Sequence, residues 1–192
     1  MNRSDHRALL LVDLFGDFQF EDGEALARAL KDAAPGIAAA AAGCRRQRIP
    51  VVYCNDNFGR WHDPWEAVLE FTAREGKEVS AELLAHLRPQ PSDIVLLKSR
   101  HSAFYQTQLP ALLEDLKTRE LAVAGAATDA CVMCSALDAH MRGLDVRVLE
   151  DATAAASPAR HERALAHLRE SLDIPVLPHV AWLGSAAAAP AR

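Results

Sequence analysis

The chain has 192 residues, 50% of them hydrophobic and 24% charged, which suits one globular domain over residues 1–192 with a core that needs no covalent staples. Its formal net charge of -5 offers no electrostatic grip on nucleic acid or an anionic membrane, so neither is expected as a partner. The four cysteines sit in or beside apolar segments and read as reduced thiols, no secretory signal pattern is evident, and no apolar run is long enough to span a bilayer; a cytoplasmic location is the expectation.

Six short apolar runs recur along the chain, at 8–12, 51–54, 94–97, 121–124, 146–149 and 174–177. They are near-continuous rather than alternating, as expected of parallel strands covered on both faces, and helical stretches separate them. A six-stranded α/β sandwich of three layers follows. The helices are expected at 24–48, with a break at Pro35-Gly36, then at 80–87, 110–118 and 132–142, the last stopped by Gly143. Ser157 supplies an N-cap and Pro158 a first-turn proline for a helix reaching about residue 172. Residues 55–76 carry Phe58, Trp61 and Trp65 without a clear period, and read as a long loop over the strand ends that acts as a binding lid. The alanine-rich end, 184–192, is expected to fray.

In an open parallel sheet, ligands bind beyond the carboxyl ends of the strands. Asp13 ends the first strand, Asn55-Asp56-Asn57 the second and Lys98 the third, while the fourth leads to Cys131 at a strand-to-helix turn. A thiol there feels the positive end of a helix dipole, which favours the nucleophilic thiolate. Each residue also has a plainer role: Asp13 as a cap, Lys98 as a solvated strand end, Cys131 as a small buried hydrophobe. Cys131-Val-Met-Cys134 has the spacing of a redox pair or half a zinc site. No second ligand pair accompanies it, and Cys134 falls one helical turn along, where it packs with Leu137 and Met141. No G-x-G-x-x-G follows the first strand, where Asp-Leu-Phe-Gly stands instead, so a dinucleotide-binding role is not supported.

Three ordered segments carry a resemblance: Leu10-Leu-Val-Asp13-Leu-Phe-Gly-Asp17-Phe18, Lys98-Ser-Arg-His-Ser-Ala-Phe104, and Gly125-Ala-Ala-Thr-Asp-Ala-Cys131 followed by Ala136-Leu-Asp-Ala139. Their order and spacing resemble those of the isochorismatase-like cysteine hydrolases, which include nicotinamidases and N-carbamoylsarcosine amidases. The resemblance runs from about residue 7 to 177. It implies a Rossmann-like fold and a catalytic triad of Asp13, Lys98 and Cys131. In that scheme Asp13 is the base, Lys98 supports it, and Cys131 forms a thioester with a small amide or carbamoyl substrate. It also implies a non-proline cis peptide at Ala126-Ala127, with the backbone N–H groups of Ala127 and Cys131 forming an oxyanion hole. No cofactor is implied, and assembly as a homodimer or homotetramer is.

Two departures stand out. Phe15-Gly16 replaces the family's common Gln-Asn, and Asp56-Asn57-Phe58 replaces the metal-binding Asp-x-His of the nicotinamidase branch, so no metal is expected. Phe18, Asn57, Trp61 and Phe104 are the expected pocket residues. Two alternatives stay open: vinyl-ether hydrolysis with Asp13 as acid, and a catalytically idle binding protein of the same fold.

Overall fold

The computed structural model describes residues 6–185. Six strands pair in parallel: β1 (Arg7–Val12), β2 (Val51–Asp56), β3 (Ile94–Lys98), β4 (Glu120–Ala126), β5 (Asp145–Ala154) and β6 (Val176–Leu177), in the order β3-β2-β1-β4-β5-β6. The chain builds outward from β1 in one direction and outward from β4 in the other. The order therefore reverses between these two strands, and the crevice beyond their carboxyl ends is the place where this architecture binds ligands.

Every residue of β1 is buried, because successive side chains face opposite layers and both layers are covered. Leu9 and Leu11 pack on one side with α1 (Gly23–Gln47), α2 (Trp65–Glu75), α3 (Glu78–Leu87) and Trp182 of α7 (His179–Gly184). Ala8, Leu10 and Val12 pack on the other with α4 (Leu109–Asp115), α5 (Met133–Met141) and α6 (Pro158–Ser171). Ser157 caps α6 as anticipated, its hydroxyl accepting from the Arg160 N–H at 3.3 Å.

Several elements differ from the sequence expectations. Helix α1 runs unbroken through Pro35, which gives up one backbone donor while Leu30, Ala34, Ile37 and Ala41 keep the helix seated on the sheet. Gly36 has a separate role: a Cβ there would stand 2.0 Å from the Asp151 carbonyl oxygen, so glycine sets how closely α1 approaches β5. The stretch 55–76 is not one long loop. β2 extends to Asp56 and α2 begins at Trp65, leaving only 57–64 irregular. The buried stripe Val68, Leu69 and Thr72 has helical spacing, which the surrounding aromatics obscure in the sequence. Ile174 lies outside β6, α7 was not anticipated, and a π-helical turn (Thr128–Val132) precedes α5, so Cys131 sits within the helical segment rather than ahead of it. The expectation for the alanine-rich end beyond residue 185 lies outside the described residues.

Candidate active site

Asp13 leaves β1 in a left-handed conformation, φ 48°, its N–H donating to the Cys54 carbonyl at 3.2 Å. One carboxylate oxygen accepts the Asp56 N–H at 2.8 Å, which ties the end of β1 to the end of β2. The other meets Lys98 Nζ at 2.7 Å. The Lys98 side chain is 0% exposed, with Asp56 as a second carboxylate at 3.9 Å and the Arg100 carbonyl at 3.0 Å. A buried ammonium requires partners of this kind. The same Nζ reaches Cys131 Sγ at 3.5 Å, and the Asp13 carboxylate lies near enough for its charge to act on the thiol. Asp13, Lys98 and Cys131 thus meet from three separate strand ends.

Burial pushes the Asp13 carboxyl above its ordinary range, against the pull of the Lys98 charge. Burial opposes the charge on Lys98, but the Asp13 carboxylate and the Cys131 sulfur outweigh it, and the ammonium titrates above an ordinary lysine. Burial and then the Asp13 charge push the Cys131 thiol up, more than Lys98 lowers it. Burial thus favours the neutral form of the thiol, with the Asp13 carboxylate at hand as a proton acceptor.

The cluster opens on a cavity of about 500 Å³. Asp13, Cys131 and His101 line it, and Phe18, Phe20 and Phe58 give it an apolar wall. The Ala126–Ala127 peptide bond beside it is cis. Three of the four expected pocket residues lie outside the lining. Asn57 is buried and spends its side-chain oxygen on the Gly59 N–H at 3.0 Å. Trp61 is 70% exposed. Phe104 is buried in the layer of α4, α5 and α6, under the Arg142 guanidinium at 5.2 Å. Phe18 alone of the four lines the cavity.

The two departures in the sequence fit one another. Phe15 is buried against Trp65, ring centroids 5.7 Å apart, and Asn55 pairs with both its N–H and its carbonyl at 2.9 Å. A Cβ on Gly16 would stand 2.8 Å from the tip of the Phe58 ring, so the small residue makes room for the large one. The residues present do not suit a metal ion. Phe58 offers no ligand atom, and Asp56 is engaged by Lys98 and by the Phe58 N–H at 2.6 Å. Among the described residues no group of three or more His, Cys, Asp or Glu side chains is arranged to hold one.

His101 and Arg160 are among the lining residues that were not singled out from the sequence. His101 brings Nδ1 to 3.4 Å from Cys131 Sγ. Arg160, from α6, pairs with Asp129 of the turn before Cys131 at 2.6 Å and with Asp22 at the start of α1 at 3.0 Å. Each lies in or near a quoted motif or cap, but its partners are 30 to 138 residues away, beyond the reach of local periodicity.

Residues 7–185 match the Isochorismatase domain. The uncharacterized isochorismatase family protein YaaI of Bacillus subtilis is 32% identical over 172 residues, covering 90% of this chain and 93% of that protein. Among solved structures, the nicotinamidase SaPncA of Staphylococcus aureus superposes with a TM-score of 0.70 at 26% identity, over 90% of this chain and 99% of its own. The N-carbamoylsarcosine amidase of Thermoplasma acidophilum does so with a TM-score of 0.67 at 25% identity, over 91% and 96%. A domain match spanning nearly all the described residues, together with a relative aligned almost end to end, establishes that the chain belongs to the isochorismatase family.

Proposed function

We propose that this protein is a cysteine amidohydrolase that cleaves the C–N bond of a small amide or carbamoyl compound through a thioester on Cys131. The observation that carries the proposal is that Lys98 Nζ reaches both the Asp13 carboxylate, at 2.7 Å, and the Cys131 sulfur, at 3.5 Å, and that Asp13 and Cys131 both line the cavity. The names of two structural neighbours, a nicotinamidase and an N-carbamoylsarcosine amidase, support the same reaction class.

In this mechanism Asp13 takes the thiol proton as sulfur attacks the carbonyl carbon. The backbone N–H groups of Ala127 and Cys131 receive the developing oxyanion. Collapse of the adduct breaks the C–N bond, and the proton held by Asp13 passes to the departing nitrogen. Water then adds to the thioester, giving a proton to Asp13. The C–S bond breaks, the acid leaves, and the proton returns to sulfur. Lys98 holds Asp13 in place throughout and favours negative charge nearby. The aromatic wall suits a compact substrate with a planar or apolar portion.

The test is ammonia release from a panel of small amides, with the acyl-enzyme trapped and read by intact mass. Cys131→Ala is expected to abolish turnover and leave the circular dichroism spectrum unchanged. A second reading has one observation in its favour: the raised pKa of Asp13 suits a proton donor, as vinyl-ether hydrolysis requires. If the wild type cleaved no amide while Cys131→Ala and the wild type hydrolysed isochorismate equally well, that reading would replace the first.

A further inference from the structure

We infer that His101 is a catalytic residue of this site, donating its Nδ1–H to the Cys131 sulfur whenever that sulfur carries negative charge. The inference deepens the amidase reading and rests on it for the catalytic step. Its physical basis is separate. A buried sulfur that gives up its proton next to a carboxylate needs donors to hold the charge, because an unpaired buried anion is costly. Lys98 supplies one at 3.5 Å, but this ammonium is shared among Asp13, Asp56 and the Arg100 carbonyl. His101 supplies the other at 3.4 Å, from the cavity side. The two donors come from the same strand end, three residues apart, and approach the sulfur together.

The surroundings of His101 hold it for this task. The residues that follow it are fastened to the helix that follows Cys131. Ser102 Oγ donates to Asp138 at 2.7 Å, and the Ala103 N–H donates to Ser135 Oγ at 2.9 Å. Ser135 Oγ in turn donates to the Cys131 carbonyl at 2.6 Å. Histidine and cysteine thus share one hydrogen-bonded frame, and the spacing between ring and sulfur is set by residues outside the cavity lining. The Asp138 of the third sequence motif gains a purpose here, as the anchor of the segment that carries His101.

The sulfur becomes negative twice in each turnover. First, negative charge develops on it as its proton passes to Asp13 in the attack on the carbonyl carbon. Second, when the C–S bond of the hydrated thioester breaks, the bonding pair returns to sulfur. A donor at 3.4 Å lowers the energy of both states without itself gaining or losing a proton. That distinguishes His101 from Asp13, which must accept and release one.

The test compares His101→Leu with His101→Asn, because an asparagine amide can place an N–H near the Nδ1 position but cannot act as a base near neutral pH. The first readout needs no substrate: the midpoint of the pH profile for Cys131 alkylation by iodoacetamide, followed by peptide mass. The midpoint reports the thiol's ionisation, and altered access changes only the plateau rate. His101→Leu is expected to move the midpoint upward, and His101→Asn to bring it back. The second readout is kcat for whichever amide the wild type cleaves. It is expected to fall on the order of a hundred-fold in His101→Leu, comparable to losing one transition-state donor, and to recover largely in His101→Asn. An unchanged midpoint in His101→Leu overturns the inference, and so does a His101→Asn enzyme as impaired as His101→Leu. If the wild type releases ammonia from no amide, the amidase reading fails, while the alkylation series still decides whether His101 stabilises the thiolate.

Discussion

A protonated thiol is alkylated only through its small thiolate fraction. Burial and the Asp13 charge both raise the pKa of Cys131, so the midpoint of iodoacetamide labelling in the wild type is expected to lie above that of an ordinary thiol. Asp13→Asn removes the negative neighbour but leaves Lys98 beside the sulfur. The thiol pKa should fall, and one unit of change is about a tenfold change in thiolate fraction near neutral pH. This variant is therefore expected to lose amidase activity while Cys131 labels faster at neutral pH. Unchanged labelling would show that the Asp13 charge does not hold the thiol in its protonated form. Cys44 and Cys54 are pushed up to about 12 by burial and sit inside the core, so they should not compete for reagent.

The pairing of Gly16 with Phe58 can be tested in the same spirit. Gly16→Asn drives a side chain into the ring and should cost about 1–3 kcal/mol, as overpacking does. Phe58→Ala opens the space. The double variant is expected to have a higher Tm than the sum of the two single changes allows, a coupling readable in a thermal-melt cycle. Additive losses would show that the two residues do not share the space.

Strand ends carry signals that periodicity can reach, so Asp13, Lys98 and Cys131 stood out in the sequence as polar groups along one sheet edge, and the family resemblance grouped them as a triad. Asp13 and Lys98 each follow an apolar run directly, and Cys131 follows one after a short turn. The continuity of α1 was not legible. Pro35-Gly36 reads as a break because local propensity opposes helix there, and tertiary packing overrides it. Gly36 is present for the contact with β5, which is more than a hundred residues away in the chain. Gly36→Ala is expected to lower Tm by an amount corresponding to about 1–3 kcal/mol, although alanine is the better helix former. A rise in Tm would mean that α1 can move off the sheet at little cost. The second aromatic-rich element failed for the opposite reason: Trp65 belongs to a helix that packs on Phe15, whereas Trp61, only four residues earlier, faces solvent. Composition alone cannot separate the two.

The order of the strands was likewise beyond the sequence, and it governs how the site is assembled. Asp13, Asp56, Lys98 and His101 all lie in the half of the sheet built outward from β1, and Cys131 and Arg160 lie in the half built outward from β4. Within the sheet the halves meet along one seam, β1 against β4, in register from Arg7↔Glu120 to Val12↔Gly125, while α1 crosses it outside the sheet to pack on β5. At the far end of that register Gly125, at φ 111°, brings its Cα so close to Val12 that a Cβ would stand 2.1 Å from the Val12 carbonyl oxygen. The nucleophile and its proton acceptor are therefore on opposite banks of one crossing. A small parting of the banks would take the sulfur away from its carboxylate. Turnover should accordingly behave as a gauge of seam closure: as urea is raised, ammonia release is expected to fail before far-UV circular dichroism changes, and coincident loss would mean that the halves never separate short of global unfolding.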